Sequence, residues 1–176
     1  VMNAAYGMAV QMYSVIQGFV TNFMTAVNPQ ITKSYASGEH EYMISLVMKS
    51  ARMSYYLLML IVLPVFFNSA FLLEMWLKDV PEASDIFVKL VLVLSLSECL
   101  SNPLMTSALA TGKIRNYQII VGGLIMLNLP VSYLFLKAGA PAEVTVVVAI
   151  VISQICLWAR LAVLRKLMSF PAGRFL

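Results

Sequence analysis

The sequence predicts an all-α chain, a polytopic transmembrane helix bundle of about five spans, and three observations carry that reading. Hydrophobic residues make up 61% of the 176 residues against 11% charged, and the mean hydropathy of +0.86 lies outside the soluble range. Uncharged runs recur at 1–32, 53–73, 116–136 and 144–159, and a fifth at 86–111 is broken only by Lys89 and Glu98; each approaches or exceeds the ~20 residues that cross a bilayer as helix. Backbone groups in hydrocarbon must be paired internally, which leaves helices or a closed barrel, and barrel strands would be ~10 residues long with alternating polarity. These runs are longer and more uniform than that. The expected spans are about 1–31, 53–75, 86–111, 116–137 and 143–165, with a tail at 166–176.

The first span opens directly on Val1, with no basic region or small-residue cleavage site before it, so it reads as a span and not as a signal peptide. With no start methionine, the chain reads as a fragment of a larger transporter, channel or membrane enzyme. Ala4, Gly7, Gln11, Ser14, Gly18, Thr21, Asn22, Thr25 and Asn28 recur in steps of mostly three and four. At about 100° per residue they share one face. That face either packs closely on another helix or lines an aqueous cavity. Pro29 is expected to end or kink the span.

The polar stretch NPQITKSYASGEHEY, 28–42, is the turn into the second span. After Ser37-Gly38, the residues Met43, Leu46, Val47 and Ser50 stand at helical spacing, which predicts an amphipathic segment lying in the interface before the chain turns into 53–75. Tyr55-Tyr56 and Trp76 fall near the two ends of that span, and Pro64, Asn68 and Ser69 disturb its middle. The third span places Ser95, Glu98, Ser101 and Asn102 together, followed by Pro103. A carboxylate at mid-bilayer costs ~2.5 kcal/mol or more, so Glu98 is expected to face another helix or a wet cavity, not lipid. Lys89, nine residues away and out of phase with Glu98, is expected to snorkel outward. Gly112 supplies a left-handed cap, with Lys113 and Arg115 beyond it. Gly122-Gly123, Asn128 and Pro130 predict a kinked fourth span; Ala138-Gly139-Ala140-Pro141 separates it from the fifth, where Arg160 after Trp158 reads as an interfacial anchor.

Alternating spans place the gaps at 33–52, 113–115 and 160–176 on one side. That side holds Lys33, Lys49, Arg52, Lys113, Arg115, Arg160, Arg165, Lys166 and Arg174, nine of the twelve basic residues; Lys78, Lys89 and Lys137 fall on or near the other. The asymmetry predicts a cytoplasmic first group and a cytoplasmic C-terminus. It also accounts for the net charge of +4, so nucleic acid is not implied. His40 is the sole histidine and Cys99 and Cys156 stand singly in apolar runs, so no metal site or disulfide framework is readable. No phosphate-binding glycine loop and no segment long enough for a catalytic domain is present, and no cofactor is expected. The chain reads as a transporter, not an enzyme.

The successive stretches AAYGMAVQ, FVTNFMTAVNPQITKSYASGE, LEMWLKDVP, LSNPLMTSALATGKIRNYQIIVGGLIMLNLPVSY and ARLAVLRKLM resemble the C-terminal half of bacterial O-antigen and polysaccharide repeat-unit flippases, of the multidrug/oligosaccharidyl-lipid/polysaccharide flippase superfamily. The resemblance covers essentially the whole chain, with PQITKSYASGE and ATGKIRNYQ its most specific parts. It implies most of the C-terminal six-helix bundle of a MATE-like flippase, whose N-terminal bundle would be the partner half. It further implies a multi-pass protein of the bacterial inner membrane that moves an undecaprenyl-pyrophosphate-linked oligosaccharide to the outer leaflet by alternating access, with its site between the halves. The expected substrate-cavity residues are Gln11, Ser14, Thr21, Asn22, Thr25, Arg52, Ser95, Glu98 and Asn102, with Arg52 and Lys89 the only cations in view. Lys33, Lys113 and Arg115 are the cytoplasmic-loop candidates. Lys33 would sit near anionic lipid head groups, worth roughly 1 kcal/mol per base, as part of a structural corner or a gate. Alternatives are a cation-coupled multidrug extruder of the same fold, in which Glu98 would carry the ion, and a fragment of a membrane-embedded polysaccharide polymerase or glycosyltransferase.

Overall fold

The computed structural model describes residues 2–76, 83–168 and 170–175, and these form helices without strands. Lys78 and the side chains of Ala4 and Arg174 lie outside this description. In chain order the helices are α1 (Met2–Ala36), α2 (His40–Phe67), α3 (Ser69–Trp76), α4 (Ser84–Cys99), α5 (Ser101–Ala110), α6 (Ile114–Met126), α7 (Asn128–Lys137), α8 (Val144–Met168) and α9 (Ala172–Phe175). Three segments, His40–Phe67, Ile114–Lys137 and Val144–Met168, are long and apolar enough to cross a membrane, which marks the chain as a membrane protein. Neither α1 nor the α4–α5 pair is among them. The polar stripe lowers the hydropathy of α1, and the α4–α5 pair carries Asp85, Lys89 and Glu98.

At 1.5 Å per residue, the 35 residues of α1 extend about 52 Å, well beyond a ~30 Å hydrocarbon core. The helix does not end at Pro29. It runs on to Ala36 because the ring costs only one amide donor, and the chain turns two residues later, where Gly38 takes φ +79°. The Gly38 amide donates to Tyr35 O at 3.1 Å and the Glu39 amide to Ser34 O at 3.0 Å, the paired bonds of a Schellman cap. The same cap closes α7, with Gly139 at φ +87° and its amide bonded to Leu136 O, and Ala140 bonded to Phe135 O. Gly112, at φ +69°, ends α5 as expected.

The interfacial segment expected before the second span is absent as a separate element. Instead α2 is continuous from His40, and Met43, Val47 and Ser50 are buried in the bundle, so the helical spacing there marks a packing face. A proline stands near each of the next interruptions. Asn68 halts α2 four residues after Pro64 and ties back to it, its amide and its side-chain Nδ2 both donating to Pro64 O. The third and fourth expected spans each break three residues before a proline, at Leu100 before Pro103 and at Leu127 before Pro130. In both, the missing amide leaves the carbonyl four residues earlier without its helical partner.

Packing centres on α4, which lies against α1, α2 and α8. In turn α8 separates α4–α5 from the α6–α7 pair, which packs mainly on α8. Every buried polar residue among those described is a serine, small enough for close helix approach. Several satisfy themselves on their own helix, as in Ser95 to Val91 O at 2.9 Å and Ser107 to Leu104 O at 2.8 Å. The periphery is apolar: Leu60, Phe67, Met126 and Leu129 are more than 70% exposed, a surface that suits lipid. Beyond α8 the chain folds back, burying Phe170 and setting its ring 5.9 Å from Phe175.

Glycine-to-alanine substitutions should separate caps from helix interiors. Gly38→Ala forces a Cβ into the left-handed region and should destabilise by about 1–2 kcal/mol. Gly7→Ala and Gly18→Ala meet nothing within 4 Å and should be neutral or stabilising by up to about 1 kcal/mol. Thermal unfolding in detergent reads both.

Candidate functional site: a polar cavity at the helix breaks

A cavity of about 210 Å³ lies where the two broken helices approach α1 and α8. Gln17 contributes from α1, Glu98 from the end of α4, and Ser101, Asn102 and Met105 from α5. Ile125 and Asn128 bracket the Leu127 break, while Ala149, Ile152, Ser153, Cys156 and Arg160 supply the α8 wall. Both interruptions therefore sit at the lining. Irregular backbone at membrane depth is tolerated where it meets protein or a polar cavity, and the prolines have placed it there.

Glu98 is held from α1. The Tyr13 hydroxyl donates to Glu98 Oε2 in a short hydrogen bond, and Gln17 Nε2 donates to the same oxygen at 3.1 Å. Tyr13 and Gln17 are four residues apart and so lie on one flank of the helix. This is the shielding from lipid that a carboxylate among apolar spans requires. Further polar bridges fix the walls: Gln154 Nε2 donates to Ser97 Oγ at 2.7 Å between α8 and α4, and Thr106 Oγ1 to Asn28 Oδ1 at 2.8 Å between α5 and α1.

Of the expected cavity residues, the structure brings Glu98 and Asn102 to this lining. Ser95 is fully buried and bonded to its own helix. Gln11, Ser14, Thr21, Asn22 and Thr25 are exposed, on the side of α1 away from its buried Ala5, Ala9, Ile16, Val20 and Met24. Ser14 and Thr25 donate to the carbonyls of Val10 and Thr21. Arg52 is exposed on α2, outside the cavity lining. Lys33, Lys113 and Arg115 are exposed at the ends of helices. Lys89 is partly exposed and its Nζ pairs with Asp85 Oδ2 at 2.7 Å, one turn back on α4, and Asp85 also accepts from Ser69 Oγ.

Sequence reasoning missed Tyr13, Gln17, Asn128, Ser153 and Arg160. Gln17 falls outside the polar stripe yet points at Glu98, and the i, i+4 pairing with Tyr13 was the available signal. Arg160 turns inward: it lines the cavity, and its Nε is buried without a hydrogen-bond partner. The anchoring role expected of it is corrected on that ground, since an anchor keeps its head in the polar interface.

Removing a donor from a charged acceptor costs about 1.5–3 kcal/mol, so Tyr13→Phe should destabilise by that order. In a Tyr13→Phe/Glu98→Gln cycle the double variant should lose less than the sum of the singles, measured by thermal unfolding in detergent. No protein-family model, curated protein or solved structure matches the chain.

Proposed function

We propose that the chain is part of a transporter that carries an undecaprenyl-pyrophosphate-linked oligosaccharide across the bacterial inner membrane by alternating access, crossing the bilayer about five times with its C-terminus in the cytoplasm. The substrate is the one that the resemblance of the sequence to repeat-unit flippases implies; the observation that supports a transport path is the polar cavity at the level of two proline breaks, holding a carboxylate and a guanidinium inside an apolar bundle. Ionisable groups kept at such depth favour a path for a polar substrate or ion. The exposed stripe of Gln11, Ser14, Thr21, Asn22 and Thr25 supports a second wall, supplied by another bundle of the same protein, because that face is poorly suited to lipid. A cation-coupled multidrug extruder is favoured by one specific feature, the Glu98 carboxylate addressed by Tyr13 and Gln17.

Disrupting the gene should cause lipid-linked repeat units to build up on the cytoplasmic leaflet and deplete surface glycan. Normal surface glycan with raised drug sensitivity would select the extruder. Topology is read separately: a membrane-impermeant thiol reagent should reach Lys33→Cys, Lys113→Cys and Arg165→Cys only from the cytoplasmic side. Labelling of Lys113→Cys and Arg165→Cys from opposite sides would defeat the five-span arrangement.

A further inference from the structure

We infer that the groove between α6 and α8 binds an anionic phospholipid of the membrane, with an acyl chain along its apolar floor and the phosphate at Lys166. The groove has a volume of about 300 Å³ and shares no lining residue with the polar cavity. Its α8 side is formed by Ala159, Ala162, Val163 and Lys166, the i, i+3, i+4 and i+7 positions of one face. Its α6 side is formed by Ile120 and, one turn nearer the start of that helix, Asn116. The two alanines leave space that larger side chains would fill. Ile120 and Ala162 are exposed, and Trp158 and Ile119 beside them are 60% and 62% exposed, so the groove opens on the apolar periphery. The α6–α7 segment packs along α8 and joins it through a short turn, so the two run antiparallel. Asn116 and Lys166, the polar lining residues, therefore fall at one end of an otherwise apolar trough.

Charge selects the occupant. Lys113, Arg115 and Arg165 stand exposed at the same end as Lys166. From residue 99 onward the sequence holds a single side-chain carboxylate, Glu143, which precedes α8 at the opposite end. Glu39 and Glu41 stand at the start of α2, which packs on α1, α4 and α5. Among the described residues no ion pair engages these four bases. Topology and the helix dipole account for bases at this end, but not for an apolar groove that terminates at one of them. A neighbouring helix is the rival occupant. From Ala159 to Lys166 the groove runs about 10 Å at 1.5 Å per residue, a third of the ~30 Å hydrocarbon core. A helix seated there would cover Lys166 with no carboxylate of this hairpin to meet it. An acyl chain is narrow enough for the trough and brings its own anion to the base, the pattern by which basic pockets between membrane helices take lipid head groups.

The inference goes beyond the transport reading and requires only that the chain lie in a bilayer. The test reconstitutes the full-length protein in nanodiscs with equal parts of phosphatidylglycerol and phosphatidylcholine, and native mass spectrometry counts the lipids that stay bound. Wild type should retain phosphatidylglycerol in preference to phosphatidylcholine by about fivefold. Lys166→Gln should bring that preference close to parity. Lys137→Gln, at an exposed base on the other end of the hairpin, should leave it intact. Ala162→Phe fills the groove and should remove one retained lipid. Ala162 is exposed, so the larger ring displaces no core contact; if that variant does not fold, Ala162→Leu is read by the same criterion. A wild type that retains no lipid overturns the site and leaves the groove to a neighbouring helix. A folded Ala162 variant that retains as much lipid as wild type overturns it too. Unchanged preference in Lys166→Gln, or an equal loss in Lys137→Gln, overturns the assignment of the anionic head group to Lys166. None of these outcomes depends on glycan export, so either reading can fail while the other stands.

Discussion

In hydrocarbon a backbone carbonyl has no water to turn to, and the placement of the helix breaks follows from that constraint. Pro103 and Pro130 each withhold an amide from the carbonyl four residues earlier, and the chain interrupts its helices at Leu100 and Leu127. Facing lipid, those interruptions would each cost several kcal/mol. Placed beside one cavity whose other wall is α8, they flank a lining in which Glu98, Asn102, Asn128 and Arg160 can be tolerated. The breaks and the polar groups thus share a location because each needs the other's departure from a plain apolar helix.

Around that cavity the bundle is held by packing more than by polar contacts. Serines at the buried positions let α4 approach its neighbours closely; most of their hydroxyls return to carbonyls of their own helices, while Ser54 donates to Met24 Sδ on α1 and Ser69 to Asp85 on α4, so close approach leaves few unmet donors. Ser101 is the exception, buried but without a partner, and it stands at the cavity. The Asp85–Lys89 pair is half exposed at the start of α4 and contributes little to stability on its own. The interhelical bonds from Thr106 to Asn28 and from Gln154 to Ser97 weigh more, because they set the registers of α1 and α8 against the α4–α5 helices.

Much of the site was legible in one dimension, and the reason is cost. A charge or a proline inside an apolar run is expensive, so Glu98, Pro103 and Pro130 stand out in the sequence itself. The polar periodicity of α1 was equally visible, but periodicity assigns a face and not its neighbour. The stripe from Gln11 to Thr25 lies away from this bundle's core, whereas Gln17 and Tyr13, on the flank, reach Glu98. Arg160 misled for a related reason: a base near the end of a span usually points to the interface, and only the position of α8 against α5 and α6 turns it inward.

Composition and spacing alone determined an all-helical membrane chain, the glycine cap at Gly112, the breaks around Ser37-Gly38 and Ala138–Pro141, and the residues at which the helices are disturbed, because those depend on local sterics and on solvent preference along the chain. Tertiary structure decided which polar groups meet. It joined α1 to Glu98 across some eighty residues of sequence, merged the expected interfacial segment into α2, and brought Arg160 and Ser101 to one cavity lining. Such contacts depend on helix rotation and register, and those are set by side-chain packing between distant segments, which no local pattern encodes.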